Sequence, residues 1–111
     1  MIPSPASYDL VLLAYLQLVP EQCRVAVRTA FSALRIGGTF FLVAHDSTNL
    51  TEGTGGPQDP SVLVTAEDVL ADLEGERFEV ERAERVTRMV DQPDGRPRAA
   101  YDALVRLVRT A

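Results

Sequence analysis

The sequence predicts an α/β domain: two parallel strands joined by a helix, then a second helix and a C-terminal antiparallel β-hairpin. Three observations carry this. Two short apolar runs, Leu10 to Leu13 and Thr39 to Ala44, are bounded by turn residues. Unbroken apolar runs of that length are the pattern of strands buried on both faces. Between them, Pro20 to Leu34 has helical spacing. Near the end, Gln92-Pro93-Asp94-Gly95 is a turn signal between two further strand-like segments.

The whole chain sets bounds on function. Its 111 residues suffice for one small domain, and 46% hydrophobic with 24% charged residues can build a core. The net charge of −5 and pI of about 4.7 argue against nucleic acid or an anionic membrane surface as partner. All 11 basic residues are arginine, so lysine chemistry is absent: no Schiff base and no P-loop lysine. Cys23 is the single cysteine and His45 the single histidine. One chain therefore offers no disulfide and a poor set of ligands for a transition metal. No run reaches the roughly 20 apolar residues of a membrane helix, and Asp9 interrupts the first apolar run, which excludes a signal peptide pattern. The expected location is cytoplasmic.

The elements follow in order. Residues 1–7 are a Pro/Ser leader, expected to be poorly ordered, and 8–111 form the domain. Tyr8 to Leu18 contains the first strand, and Pro20 suits the first turn of a helix. On that helix Cys23, Val27, Ala30, Phe31 and Leu34 share the apolar face, with Arg24, Arg28, Ser32 and Arg35 on a solvated one. Gly37 and Gly38 are expected to stop it. The strand Thr39–Ala44 then ends in a polar tip, His45-Asp46. Open α/β sheets place ligands at such carboxyl ends.

Ser47 to Val64 reads as a long polar loop, and its glycines do not make a phosphate cradle. Thr65 caps a second helix that buries Val69, Leu70 and Leu73 and ends at Gly75. Asp68 holds the capping-box position but is shorter than the usual glutamate, so no reciprocal bond is expected. Phe78 to Val90 alternates at first and then blurs, as an edge or bulged strand does. Ala99 to Arg109 fits a helix face about as well as a strand; the preceding turn favours strand.

Y-D-L-V-L-L-A-Y-L-Q-L (Tyr8 to Leu18), A-L-R-I-G-G-T-F-F-L-V-A-H-D (Ala33 to Asp46) and the closing hairpin together resemble the C-terminal half of a class I S-adenosylmethionine-dependent methyltransferase. The H-D tip and E-G-T-G-G-P-Q-D-P loop are similar to those of small bacterial methyltransferases related to tellurite-resistance proteins. The resemblance implies a partial Rossmann-like sheet, strands four to seven of the family, with the last strand inserted beside the fifth. It implies S-adenosylmethionine as cofactor and a methyl acceptor, expected to be a small molecule. The family's glycine-rich turn after its first strand, and the acidic residue after its second, have no counterpart here. The chain is thus expected to be a truncated enzyme, inactive alone and binding no cofactor by itself. Its first strand would lack its neighbour, so a homo-oligomer is expected through that strand's edge and faces.

The resemblance also assigns residues. Ala14, Tyr15 and Gln17 fall where the family contacts cofactor, and Tyr15 either lines the reaction pocket or is a half-buried aromatic. His45, Asp46, Asn49 and Gln58 fall on the acceptor side. His45 reads first as a pocket-lining or loop-fixing residue, since transfer from a sulfonium needs little beyond proximity and alignment; the alternative role is that of catalytic base. Asp46 either meets the acceptor or caps the following turn. Asn49, Gln58 and Asp59 belong to a lid or to a solvated loop. No metal ligands are assigned. A non-enzymatic dimerisation or interaction module built on half of such a fold is the alternative function, and a receiver-like or flavodoxin-like domain is a weaker one.

Overall fold

The computed structural model describes residues 6–53 and 60–111. The order is β1 (Tyr8–Ala14), α1 (Pro20–Ala33), β2 (Leu34–His45), α2 (Asn49–Glu52), a 3-10 turn (Pro60–Val62), α3 (Ala66–Asp72), β3 (Phe78–Asp91) and β4 (Pro97–Arg109). The four strands make one sheet in the order β1-β2-β4-β3. β1 pairs with β2 in parallel; β4 is antiparallel to both β2 and β3. The segment 99–109, open between helix and strand in the sequence, is therefore strand, and it lies between the two strands that precede it. The expected irregularity of β3 is a register shift between Val80 and Arg82.

One face of the sheet is the core face. Phe40, Leu42 and Ala44 of β2 lie opposite Leu107, Val105 and Ala103 of β4, and all six are buried. Val27 and Phe31 of α1, Val69 of α3 and Leu73 just past its end close over them. Leu70 is half-buried beside that cluster. Burial of this apolar surface is the main favourable term in folding.

The other face carries Leu10 and Leu12 of β1, Phe41 and Val43 of β2, and Leu104 of β4, by strand alternation. No helix among the described residues packs on it. Leu10 and Leu12 are each 59% exposed. The expectation of strands buried on both faces is thus corrected. Only Val11 and Leu13 of β1 point to the core, and Phe41 and Val43 are half-buried.

Several local expectations change for a common reason, the pull of the sheet. Helix α1 ends at Ala33, and the glycines do not stop it. Leu34 is already extended, fully buried and paired with Tyr8. Gly37, at φ +87, and Gly38 lie inside β2 instead. A Cβ on Gly38 would come within 3.0 Å of the Tyr8 carbonyl oxygen, so the close approach of β1 demands glycine there.

Arg28, expected on a solvated face, donates to the Asp72 and Glu74 carbonyls and pairs with Glu76, tying α1 to the end of α3. Ala6 and Ser7 of the leader donate to the Ser32 and Ala33 carbonyls, acceptors that a helix end leaves open. The 47–64 stretch holds α2 and the 3-10 turn, and Asp46 bridges Val64. Two helices were expected; this one-turn helix is an addition.

The α3 cap is also corrected. Asp68 N–H donates to Thr65 Oγ1 at 3.1 Å and Thr65 N–H donates to the Asp68 carboxylate at 2.9 Å. Both bonds of the capping box are present, so aspartate reaches. The helix itself ends at Asp72, and Gly75, at φ +91, turns the chain toward β3. Thr65→Ala is expected to cost about 1 kcal/mol, read as a lower urea midpoint at unchanged slope. An unchanged midpoint would show that the box adds nothing.

Candidate functional site

Parallel strands β1 and β2 end side by side, Ala14 opposite Val43. Just beyond, Tyr15 adopts φ +54, a conformation uncommon for a non-glycine residue. Its N–H donates to the Val43 carbonyl at 2.8 Å. This turn brings the phenol ring over the ends of its neighbours. The Tyr15 and His45 ring centroids are 5.0 Å apart, tilted by 46°.

The centre of the group is Asp102, 3% exposed, on β4. It is the cross-strand partner of His45 on β2 and of Val86 on β3. Tyr15 Oη donates to Asp102 Oδ2 at 2.8 Å. Arg88, two residues beyond Val86 and so on the same face, donates Nε to Oδ2 at 3.0 Å and Nη2 to Oδ1 at 3.3 Å. This fork satisfies a buried carboxylate that would otherwise be costly. His45 Nδ1 lies 3.9 Å from Oδ1, is buried, and has no hydrogen-bond partner among the described residues. Burial, then the hydrogen bond to Asp102, push the Tyr15 phenol above its ordinary pKa, so it stays a donor. The hydrogen bond to Asp102 likewise raises the Arg88 guanidinium.

The remaining sequence-assigned residues take other places. Asp46 accepts from Thr48 N–H at 3.0 Å and Thr48 Oγ1 at 2.7 Å, the turn-capping alternative. Asn49 is buried and accepts from Tyr101 N–H at 2.9 Å, docking α2 onto β4. A Cβ on Gly53 would fall 1.9 Å from Asn49 Oδ1, so glycine is needed for that packing. Ala14 and Gln17 are exposed on the strand end and the loop after it. Gln58 and Asp59 lie outside the described residues.

Asp102 and Arg88 escaped the sequence reading. The signal for Asp102 was a lone acid inside the apolar run A-A-Y-D-A-L-V. Arg88 had none, since β3 carries five other arginine or glutamate residues, all exposed.

A separate cleft of about 260 Å³ lies between α1 and α3, with Cys23, Asp68 and Asp72 in its lining. Burial pushes the Cys23 thiol up, away from thiolate reactivity. Among the described residues no group of three or more His, Cys, Asp or Glu side chains is arranged to hold a metal ion. No helix among them is long and apolar enough to cross a membrane.

The sheet order, the terminal hairpin and the helical layer define part of the class I S-adenosylmethionine-dependent methyltransferase fold. An S-adenosylmethionine-dependent methyltransferase from Methanosarcina mazei matches with a TM-score of 0.65 at 11% identity, over 99% of this chain and 63% of its own. An S-adenosylmethionine-dependent methyltransferase from Anabaena variabilis matches at 0.61 and 13%, over 90% and 48%. The N-methyltransferase NodS from Bradyrhizobium japonicum matches at 0.56 and 22%, over 97% and 54%. At these identities the likeness is one of fold. The chain spans roughly half to two thirds of the length of those structures. No family model and no curated protein matches the sequence.

The described residues do not by themselves fit the cofactor. Gly37 and Gly38 lie inside β2, Gly53 follows α2, and Gly75 and Gly95 sit in turns before and within the hairpin. None opens a helix after a strand, as a dinucleotide-type cradle requires.

Proposed function

We propose that this chain is the acceptor-side half of an S-adenosylmethionine-dependent methyltransferase acting on a small molecule, inactive until the cofactor-binding half is supplied. The observation that supports it is the convergence of Tyr15, His45 and Asp102 at the carboxyl ends of the parallel strands in a sheet of methyltransferase order. In this reading Ala14, Tyr15 and Gln17 border the cofactor, and His45 faces the acceptor as its proton-accepting group. Asp46 and Asn49 act by fixing the loop that carries the acceptor side, since their polar atoms are engaged in it. Gln58 is assigned to the acceptor side by the family resemblance alone.

The exposed Leu10 and Leu12 favour a second reading, an interaction module that kept half of the fold. Two calorimetric titrations with S-adenosylmethionine separate them. The purified chain alone is expected to show no micromolar binding, and methyl transfer by it would overturn the claim of inactivity. Mixed with a polypeptide bearing the strand and glycine-rich turn of the absent half, it is expected to bind. A complex that assembles but binds no cofactor would leave only the interaction module.

A further inference from the structure

His45 and Asp102 have a relationship that the methyltransferase fold does not require. Nδ1 of His45 is sealed from solvent and lacks a hydrogen-bond partner among the described residues, yet Asp102 Oδ1 lies 3.9 Å from it. The two residues are directly opposed on β2 and β4, so their backbones hold them face to face. Asp102 is already committed as an acceptor, ion-paired with Arg88. Its Oδ2 receives Tyr15 Oη and Arg88 Nε, whereas among the described residues Oδ1 receives only Arg88 Nη2, at 3.3 Å. Oδ1 therefore has capacity for one more donor.

A neutral imidazole carries its proton on one nitrogen. A lone pair on Nδ1 would face a carboxylate across a dry gap, which is repulsive. An N–H there is attracted, and a small ring rotation closes the bond. The side chain keeps 15% exposure while Nδ1 is sealed, so what remains open is elsewhere on the ring.

We propose that Asp102, clamped by Arg88 and Tyr15, is a positioning residue that holds His45 in the Nδ1–H tautomer and leaves Nε2 as the free proton acceptor. Resting on the methyltransferase reading, this deepens it: the acceptor is a hydroxyl or amine that gives up its proton to Nε2, and Asp102 stabilises the resulting imidazolium. A thioether, which has no proton to lose, would not need the pair.

His45 is the only histidine, so its imidazole signals need no assignment. Two-bond proton–nitrogen correlation spectra of the uniformly labelled chain, taken above the histidine titration, read the tautomer directly. The expected pattern is that of Nδ1–H in the wild type, with a shift toward Nε2–H, the form favoured by unrestrained histidine, in Asp102→Asn. Tyr15→Phe, which keeps the ring beside His45, is expected to leave the pattern at Nδ1–H. An Nε2–H pattern in the wild type overturns the proposal whether or not the Asn variant folds; an unchanged tautomer in a folded Asp102→Asn chain does so too. The readout needs no cofactor, so a failure of the methyltransferase reading would appear in the titrations and not here.

Discussion

Phe31→Ala is expected to leave the chain largely unfolded. Phe31 is fully buried at the centre of the α1–sheet interface. Its ring centroid lies 6.4 Å from that of Phe40 and 6.0 Å from that of Phe78, and the Arg109 guanidinium caps it at 5.4 Å. Removing a buried phenyl costs about 3–5 kcal/mol in transfer and cavity terms. A small domain has only about 5–15 kcal/mol to lose. This one packs helices on a single face of its sheet, so it stands at the lower end. The check is far-UV circular dichroism and urea unfolding, with Val25→Ala as control. Val25, on the same helix, is 66% exposed, and its loss is expected to stay within about 0.5 kcal/mol. A Phe31→Ala chain that melts like the wild type would mean the described core is not what holds the fold.

The second large effect concerns association. The purified chain is expected to scatter light as a dimer or larger at micromolar concentration, and Leu10→Lys with Leu12→Lys to reduce it to a monomer. The sheet has two open edges, β1 and β3. They differ in kind. β3 carries Glu79, Glu81, Arg82, Glu84 and Arg85 and a register break near Val80, features that discourage strand pairing. β1 presents Tyr8, Leu10 and Leu12 exposed on an edge with a bare face beside it. Its single charge, Asp9, is already paired with Arg35. An apolar edge of this type recruits another strand. The lysines replace side chains that point away from the core, so the monomer's own packing is preserved. A wild-type mass equal to one chain would end this idea, and with it the main support for the interaction-module reading.

The order of elements was legible because each has a local cause. Apolar runs, Pro20 at a helix start, Thr65 as a cap and Asp94-Gly95 in a turn act over a few residues, and the structure places a strand, helix or turn at each. Local signals failed where a distant partner decided. Gly37 and Gly38 read as a helix stop, but pairing with β1 had already drawn Leu34 into the sheet. Arg28 read as solvated until α3 ended beside it. Burial was overestimated for Leu10 and Leu12, because hydrophobicity shows which surfaces seek cover and not whether cover is present.

The candidate site divides the same way. His45 stood out in the sequence as a polar residue at the end of an apolar strand, an argument from position along the chain, whereas Tyr15 entered through the family resemblance. Asp102 is 87 residues from Tyr15 and 14 from Arg88. Only insertion of β4 between β2 and β3 brings the three together, and only the alternation of the pleat turns them to one face. The sequence by itself determined the first three strands, helices α1 and α3 and the hairpin turn, since propensity, capping and turn chemistry are local; it left β4 open against a helix and did not show α2. Tertiary structure alone decided which carboxylate faces the histidine and which edge is left bare, because those follow from strand order and register.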